Sequence, residues 1–75
     1  MPPKSSAHLA LGAAIRATRQ EQGYTQERFA LASGIDRSYY GALERGEFNL
    51  TLDTLTKVAA GLEMPAWELL HRAQL

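Results

Sequence analysis

The sequence predicts a compact all-α domain of five helices, and three observations lead there. The run from Thr25 to Arg45 reads as two short helices joined by a tight turn. The segments on either side of it carry apolar stripes at helical period. The chain has 75 residues, 45% hydrophobic and 21% charged, which suits one small globular core rather than a disordered segment.

Residues 1–6 hold two prolines and two serines with no apolar period, the composition of a flexible N-terminal arm. The domain proper is expected over residues 7–75. Ala7 to Gln22 gives the first helix, on a stripe of Leu9, Leu11, Ala14, Ile15 and Thr18, and Gly23 ends it. Thr25 caps the second helix, where Phe29 and Ala30 point one way and Gly34 supplies the stop. Asp36 caps the third, whose Tyr40 and Leu43 return three apart, and Gly46 stops it. Thr51 caps the fourth, along which Leu52, Leu55, Val58, Ala59 and Leu62 keep helical spacing. Pro65 opens the fifth at its first position, where a missing N–H is no loss, and Trp67, Leu69, Leu70 and Ala73 are its apolar residues. Ile15, Phe29, Ala30, Tyr40, Leu43, Leu55, Val58 and Leu62 form the expected core, joined by some of Trp67, Leu69 and Leu70, with at least Trp67 helping to close it. The surplus apolar surface at the C-terminus makes Trp67, Leu70 and Leu75 candidates for a dimer interface, a use that competes with core closure.

Net charge is zero, but it is unevenly spread. Residues 1–45 hold six basic residues against four acids, and residues 46–75 hold two against four. The positive half is the half with the tight turn, and a local basic face is what binds phosphate. Several function classes drop out. No run of about 18 apolar residues could span a membrane, and no signal peptide is recognisable. The absence of cysteine removes disulfides and thiolate metal sites and fits a reducing cytoplasm. His8 and His71 stand apart with no ligand spacing around them, so neither is assigned to a metal. No phosphate loop, nucleophile elbow or carboxylate pair points to an enzyme, and no cofactor is expected.

Two helices crossing steeply over a short turn, with the small Ala30 at the crossing, are the design of a DNA-binding helix-turn-helix. Its second helix enters the major groove. The face of the third helix opposite Tyr40 and Leu43 carries Arg37, Ser38, Tyr39, Gly41 and Ala42. Arg37 can place two donors on guanine O6 and N7. Ser38 can reach a phosphate or a base edge, and Tyr39 can stack, donate to phosphate or touch a thymine methyl. Gly41 and Ala42 are small enough to let the groove approach. Arg37, Ser38, Tyr39 and Ala42 are therefore the candidate base contacts, against the reading that Arg37 only balances Asp36 or Glu44.

Gln26, Ala30, Gly34, Ile35, Tyr40 and Leu43 fall at the spacing of the phage-repressor-like (Xre/Cro) helix-turn-helix family, which the chain resembles from about Ala13 to Leu70. The run Leu43-Glu44-Arg45-Gly46 looks like that family's exit from the recognition helix. The resemblance implies an ion pair between Arg19 and Glu44 that links the first helix to the recognition helix. It implies that Gln26 reaches a phosphate from a helix N-terminus, where free N–H groups and the macrodipole favour an anion. It also lays the loop after the third helix along the DNA backbone, with Arg45 and Asn49 as phosphate contacts. Arg16 is a further phosphate candidate against a solvated arginine, and for Arg28 phosphate contact and simple solubility stand level.

The Asn49-Leu50-Thr51-Leu52 run and the chain length resemble the small controller proteins of restriction-modification systems, with Leu50 where many relatives carry proline. The implied function is a homodimeric, sequence-specific transcription regulator on a partly palindromic double-stranded DNA operator, controlling restriction-modification genes that include its own. RNA polymerase is a further candidate partner, and the expected location is the bacterial cytoplasm, on the nucleoid. The alternative is a simple phage or plasmid repressor, or an antitoxin whose main partner is another protein.

Overall fold

The structure, a computed structural model, describes residues 5–47 and 49–75. Five helices follow in order: α1 (Ser6–Glu21), α2 (Gln26–Ser33), α3 (Arg37–Glu44), α4 (Leu52–Gly61) and α5 (Ala66–Arg72). The expected N-terminal arm lies outside the described residues as far as residue 4. Its last residues belong to the helix instead, since the Ser5 side chain accepts from the His8 N–H and caps α1 one residue earlier than expected.

The other boundaries follow local chemistry. Thr25 accepts from the Arg28 N–H, Asp36 from the Tyr39 N–H and Thr51 from the Thr54 N–H, each satisfying a donor the helix cannot satisfy itself. Gly34 closes α2 in the left-handed conformation at φ 70°, which glycine adopts without strain. Pro65 stands one place earlier than expected, as the cap of α5, with extended backbone at ψ 153°.

The helices wrap one core. α1 packs on α3 and α5, α2 on α3 and α4, and α4 on α5. Phe29 and Tyr40 stand at the centre, both fully buried, with ring centroids 5.1 Å apart. Tyr24 meets Phe29 edge-on at 5.4 Å. Each large apolar side chain buried to this degree contributes roughly 1.5–3 kcal/mol relative to exposure. All eight expected core residues are buried, and Leu11, Ala42, Ala59, Leu69 and Ala73 join them.

Trp67 does not help close this core: it is 67% exposed. Leu69 and Ala73, four apart and on one face of α5, take the inner side, which turns Trp67 outward. Leu9 and Leu52, which belong to the stripes of the first and fourth helices, are likewise exposed at the ends of those stripes.

Candidate nucleic-acid interface

A buried polar cluster sets the position of α3. Arg19 on α1 donates from Nε to Glu44 Oε2 at 2.6 Å and from Nη2 to Glu44 Oε1 at 3.1 Å. Its Nη1 donates to the Tyr24 carbonyl at 2.7 Å. Tyr40, one turn before Glu44, donates its hydroxyl to Oε2, and Gln26 Nε2 donates to Oε1 at 2.8 Å. One carboxylate therefore ties together α1, the start of α2 and the last turn of α3. Burial alone would push the Glu44 carboxyl up, but the hydrogen bonds from Arg19, Tyr40 and Gln26 outweigh it and hold the group below the ordinary carboxylate range. The same contact raises Arg19, and burial followed by the bond to Glu44 pushes the Tyr40 phenol up. The cluster is thus ionised where it must be and neutral where it must donate.

Backbones also come close here. A Cβ added at Gly12 would lie 2.5 Å from the Glu44 carbonyl oxygen and 2.6 Å from that of Leu43. No other residue lets α1 lie this near the end of α3.

With its inner side held, α3 turns its first residues outward. Arg37 and Ser38 are exposed, and Tyr39 is half-buried. Ala42 is different from expectation: at 2% exposure it belongs to the core side of α3 and cannot touch a base edge. It follows Gly41, which is also buried, so the exposed part of α3 is its first turn rather than its full length.

The expected phosphate contacts spread over three elements, α1, α2 and the loop after α3. Arg16 on α1, Arg28 on α2 and Asn49 after α3 are exposed. Among the described residues, Arg16, Arg28 and Arg37 form no ion pair, so their charges are not internally cancelled. Arg45 is exposed and pairs with Glu47 at 3.1 Å. Gln26 is half-buried at the first turn of α2, its amide engaged with Glu44.

The candidate dimer residues divide. Leu70 and Leu75 line an apolar groove of about 190 Å³ together with Leu11, Leu50 and Leu55, whereas Trp67 lies outside it. The links of Tyr40 and Gln26 to Glu44 are not among the sequence expectations. The first could have been found from spacing, because residues four apart on a helix are neighbours.

The comparisons with known proteins agree with this geometry. The helix-turn-helix family profile matches residues 15–66. A hypothetical transcription factor of Neisseria meningitidis is 34% identical over 70 residues, 93% of this chain. The chain spans 66% of that factor's length, and under a third of a longer curated relative. The restriction-modification controller protein C.AhdI of Aeromonas hydrophila has a similar structure at a TM-score of 0.84 and 37% identity, over 87% of this chain and 98% of that one. The controller protein C.Esp1396I, solved as a tetramer in complex with its natural 35-base-pair operator, aligns at a TM-score of 0.82 and 33% identity, over 92% and 95% of the two chains.

Proposed function

The chain belongs to the helix-turn-helix family, and from that premise we propose that it is a DNA-binding transcription regulator. It acts as a homodimer on a partly palindromic operator and controls restriction-modification genes, its own included. Similarity to the controller proteins over most of both chains supports the choice of target genes. Activation of those genes would bring RNA polymerase in as a partner.

The observation that carries the reading is the division of α3. Its side toward the core is fixed by Tyr40, Leu43 and the Glu44 cluster, while Arg37 and Ser38 stand exposed on the first turn beside Tyr39. A helix held this way enters a major groove as a rigid body. Arg37 addresses guanine O6 and N7, Ser38 and Tyr39 address neighbouring base edges or phosphate, and Arg16, Arg28, Arg45 and Asn49 address phosphates. Two such helices in a dimer would meet successive grooves about 34 Å apart. With zero net charge, long-range steering is weak and the local arginines must supply the phosphate affinity.

The test is a fluorescence-anisotropy titration of the wild type and Arg37→Ala on DNA from upstream of the gene and on scrambled DNA, at two salt concentrations. Preference for the upstream DNA, lost in the variant with a penalty of about 1–3 kcal/mol, is the expected result. Equal weak binding to both DNAs, untouched by the substitution, rejects operator reading and directs attention to a protein partner.

A further inference from the structure

The buried cluster reaches the surface of the helix-turn-helix at Gly41. Gln26 Nε2 donates to Glu44 Oε1, and since an ionised carboxylate only accepts, this bond fixes which end of the amide faces inward. The amide oxygen is turned the other way. A Cβ added at Gly41 would lie 3.5 Å from that Oε1 and 3.3 Å from Arg45 Nη1, so the two groups end over the same bare stretch of α3. Together they cover Gly41, which is why a glycine on an outer part of the helix is buried. On its other side the Arg45 guanidinium is held through Nε by Glu47 Oε2 at 3.1 Å. The Arg45 guanidinium thus has an ion-pair partner on one side and ends beside Gly41, where the Gln26 amide oxygen also ends.

We infer that Gln26 is a positioning residue. Its amide passes the orientation imposed by the buried Glu44 carboxylate to the Arg45 guanidinium, aims that cation at a DNA phosphate, and depends on Gly41 for the room to do so. The inference rests on the DNA-binding reading above and deepens it. An arginine held in place before binding has less rotamer freedom to lose when it grips a phosphate. The carboxylate that orients α3 then also orients a cation beyond its end, so base contacts and this phosphate contact share one frame.

A direct phosphate contact by Gln26 and a positioning role differ in salt dependence. Removing a neutral contact weakens binding without changing the number of counterions released, whereas misplacing a cation changes that number. The experiment measures affinity for the upstream DNA across a salt series. It compares the wild type with Arg45→Ala, Gln26→Ala, their double variant and Gly41→Ala, with the melting temperature of each recorded. Arg45→Ala should lower the slope of log K against log salt by about one. Gln26→Ala, which removes no charge, should lower it part of the way and weaken binding about threefold to tenfold, yet add little in the Arg45→Ala background. Gly41→Ala places a methyl group only against two flexible side-chain ends, so it should melt no lower than the wild type while shifting the slope as Gln26→Ala does.

An unchanged slope in Gln26→Ala, or the same loss with and without Arg45, overturns the inference and leaves Gln26 as a direct contact. Wild-type binding that does not prefer the upstream DNA is a separate result and removes both the inference and the reading beneath it.

Discussion

Arg19 and Glu44, 25 positions apart in sequence, meet as a two-point pair at 2.6 Å and 3.1 Å with their side chains 8% and 1% exposed. Such a pair is a poor source of net stability, because both charges leave water, but it is costly to break from one side. Arg19→Ala strands the Glu44 carboxylate among apolar neighbours with only Tyr40 and Gln26 left to donate. The expected loss is about 3–5 kcal/mol in urea unfolding. Replacing both partners with leucine should recover only part of that loss, because the Tyr40 hydroxyl and the Gln26 amide then lose their acceptor. A single variant that costs under about 1 kcal/mol would instead behave as an exposed pair does.

The acid limb of stability should carry the mark of Glu44. Its carboxyl is held below the ordinary glutamate range in the folded chain, so around that range the unfolded state binds the extra proton. Folding stability contributed by this group is therefore present above the unfolded value of about 4.3 and is lost as pH falls through the lower, folded value. Glu44→Gln should start less stable at neutral pH and show a shallower fall on acidification. The comparison is the unfolding free energy of the two proteins between pH 7 and pH 3. Parallel curves would show that other carboxylates carry the acid sensitivity.

Gly12 is the second fixed point between α1 and α3. An alanine there would press its methyl into the carbonyl oxygens of Leu43 and Glu44, which are backbone and cannot swing aside. Gly12→Ala gains helix propensity, worth up to about 1 kcal/mol, but overpacking of this kind costs typically about 1–3 kcal/mol. The clash at 2.5 Å puts the cost at the upper end. The variant should melt below the wild type, and a higher melting temperature would mean that the helices separate more easily than their packing suggests. Gly41→Ala, with the same propensity gain and no backbone in its way, is the matched control.

The caps and the repeating core residues were legible in the sequence because they depend on neighbours a few positions away. Thr25, Asp36 and Thr51 cap as their residue type and place suggest, and Phe29, Tyr40 and Val58 are buried as their spacing suggests. The Arg19–Glu44 pairing came from resemblance, since nothing local joins residues on different helices. Ala42 was misplaced for a physical reason. A small apolar residue between a glycine and a leucine suits either face of α3, and only packing against another helix decides which. Trp67 misled in the opposite way, because size and hydrophobicity argue for burial while α5 offers its inner side to Leu69 and Ala73. The role of Gly12 was invisible, as it depends on where a distant carbonyl passes.

The exposed apolar residues of the C-terminal end should appear in self-association rather than in folding. Trp67 and Leu75 are 67% and 57% exposed, and Leu75 borders the groove that Leu50, Leu55 and Leu70 also line. Small monomers seldom leave such surface open to water unless it has an occupant, and a core of this size gains from a second copy. Trp67→Ser and Leu75→Ser remove few contacts within the chain, so the dilute, monomeric forms should melt close to the wild type. Each should raise the dimer dissociation constant about tenfold, equivalent to about 1.4 kcal/mol of interface. Sedimentation equilibrium over a concentration series reads the dissociation constant, and thermal melting of dilute samples reads the stability of the monomer. A wild type that stays monomeric throughout would reject the proposed homodimer, and a dimer indifferent to both substitutions would place its interface away from this end of the chain.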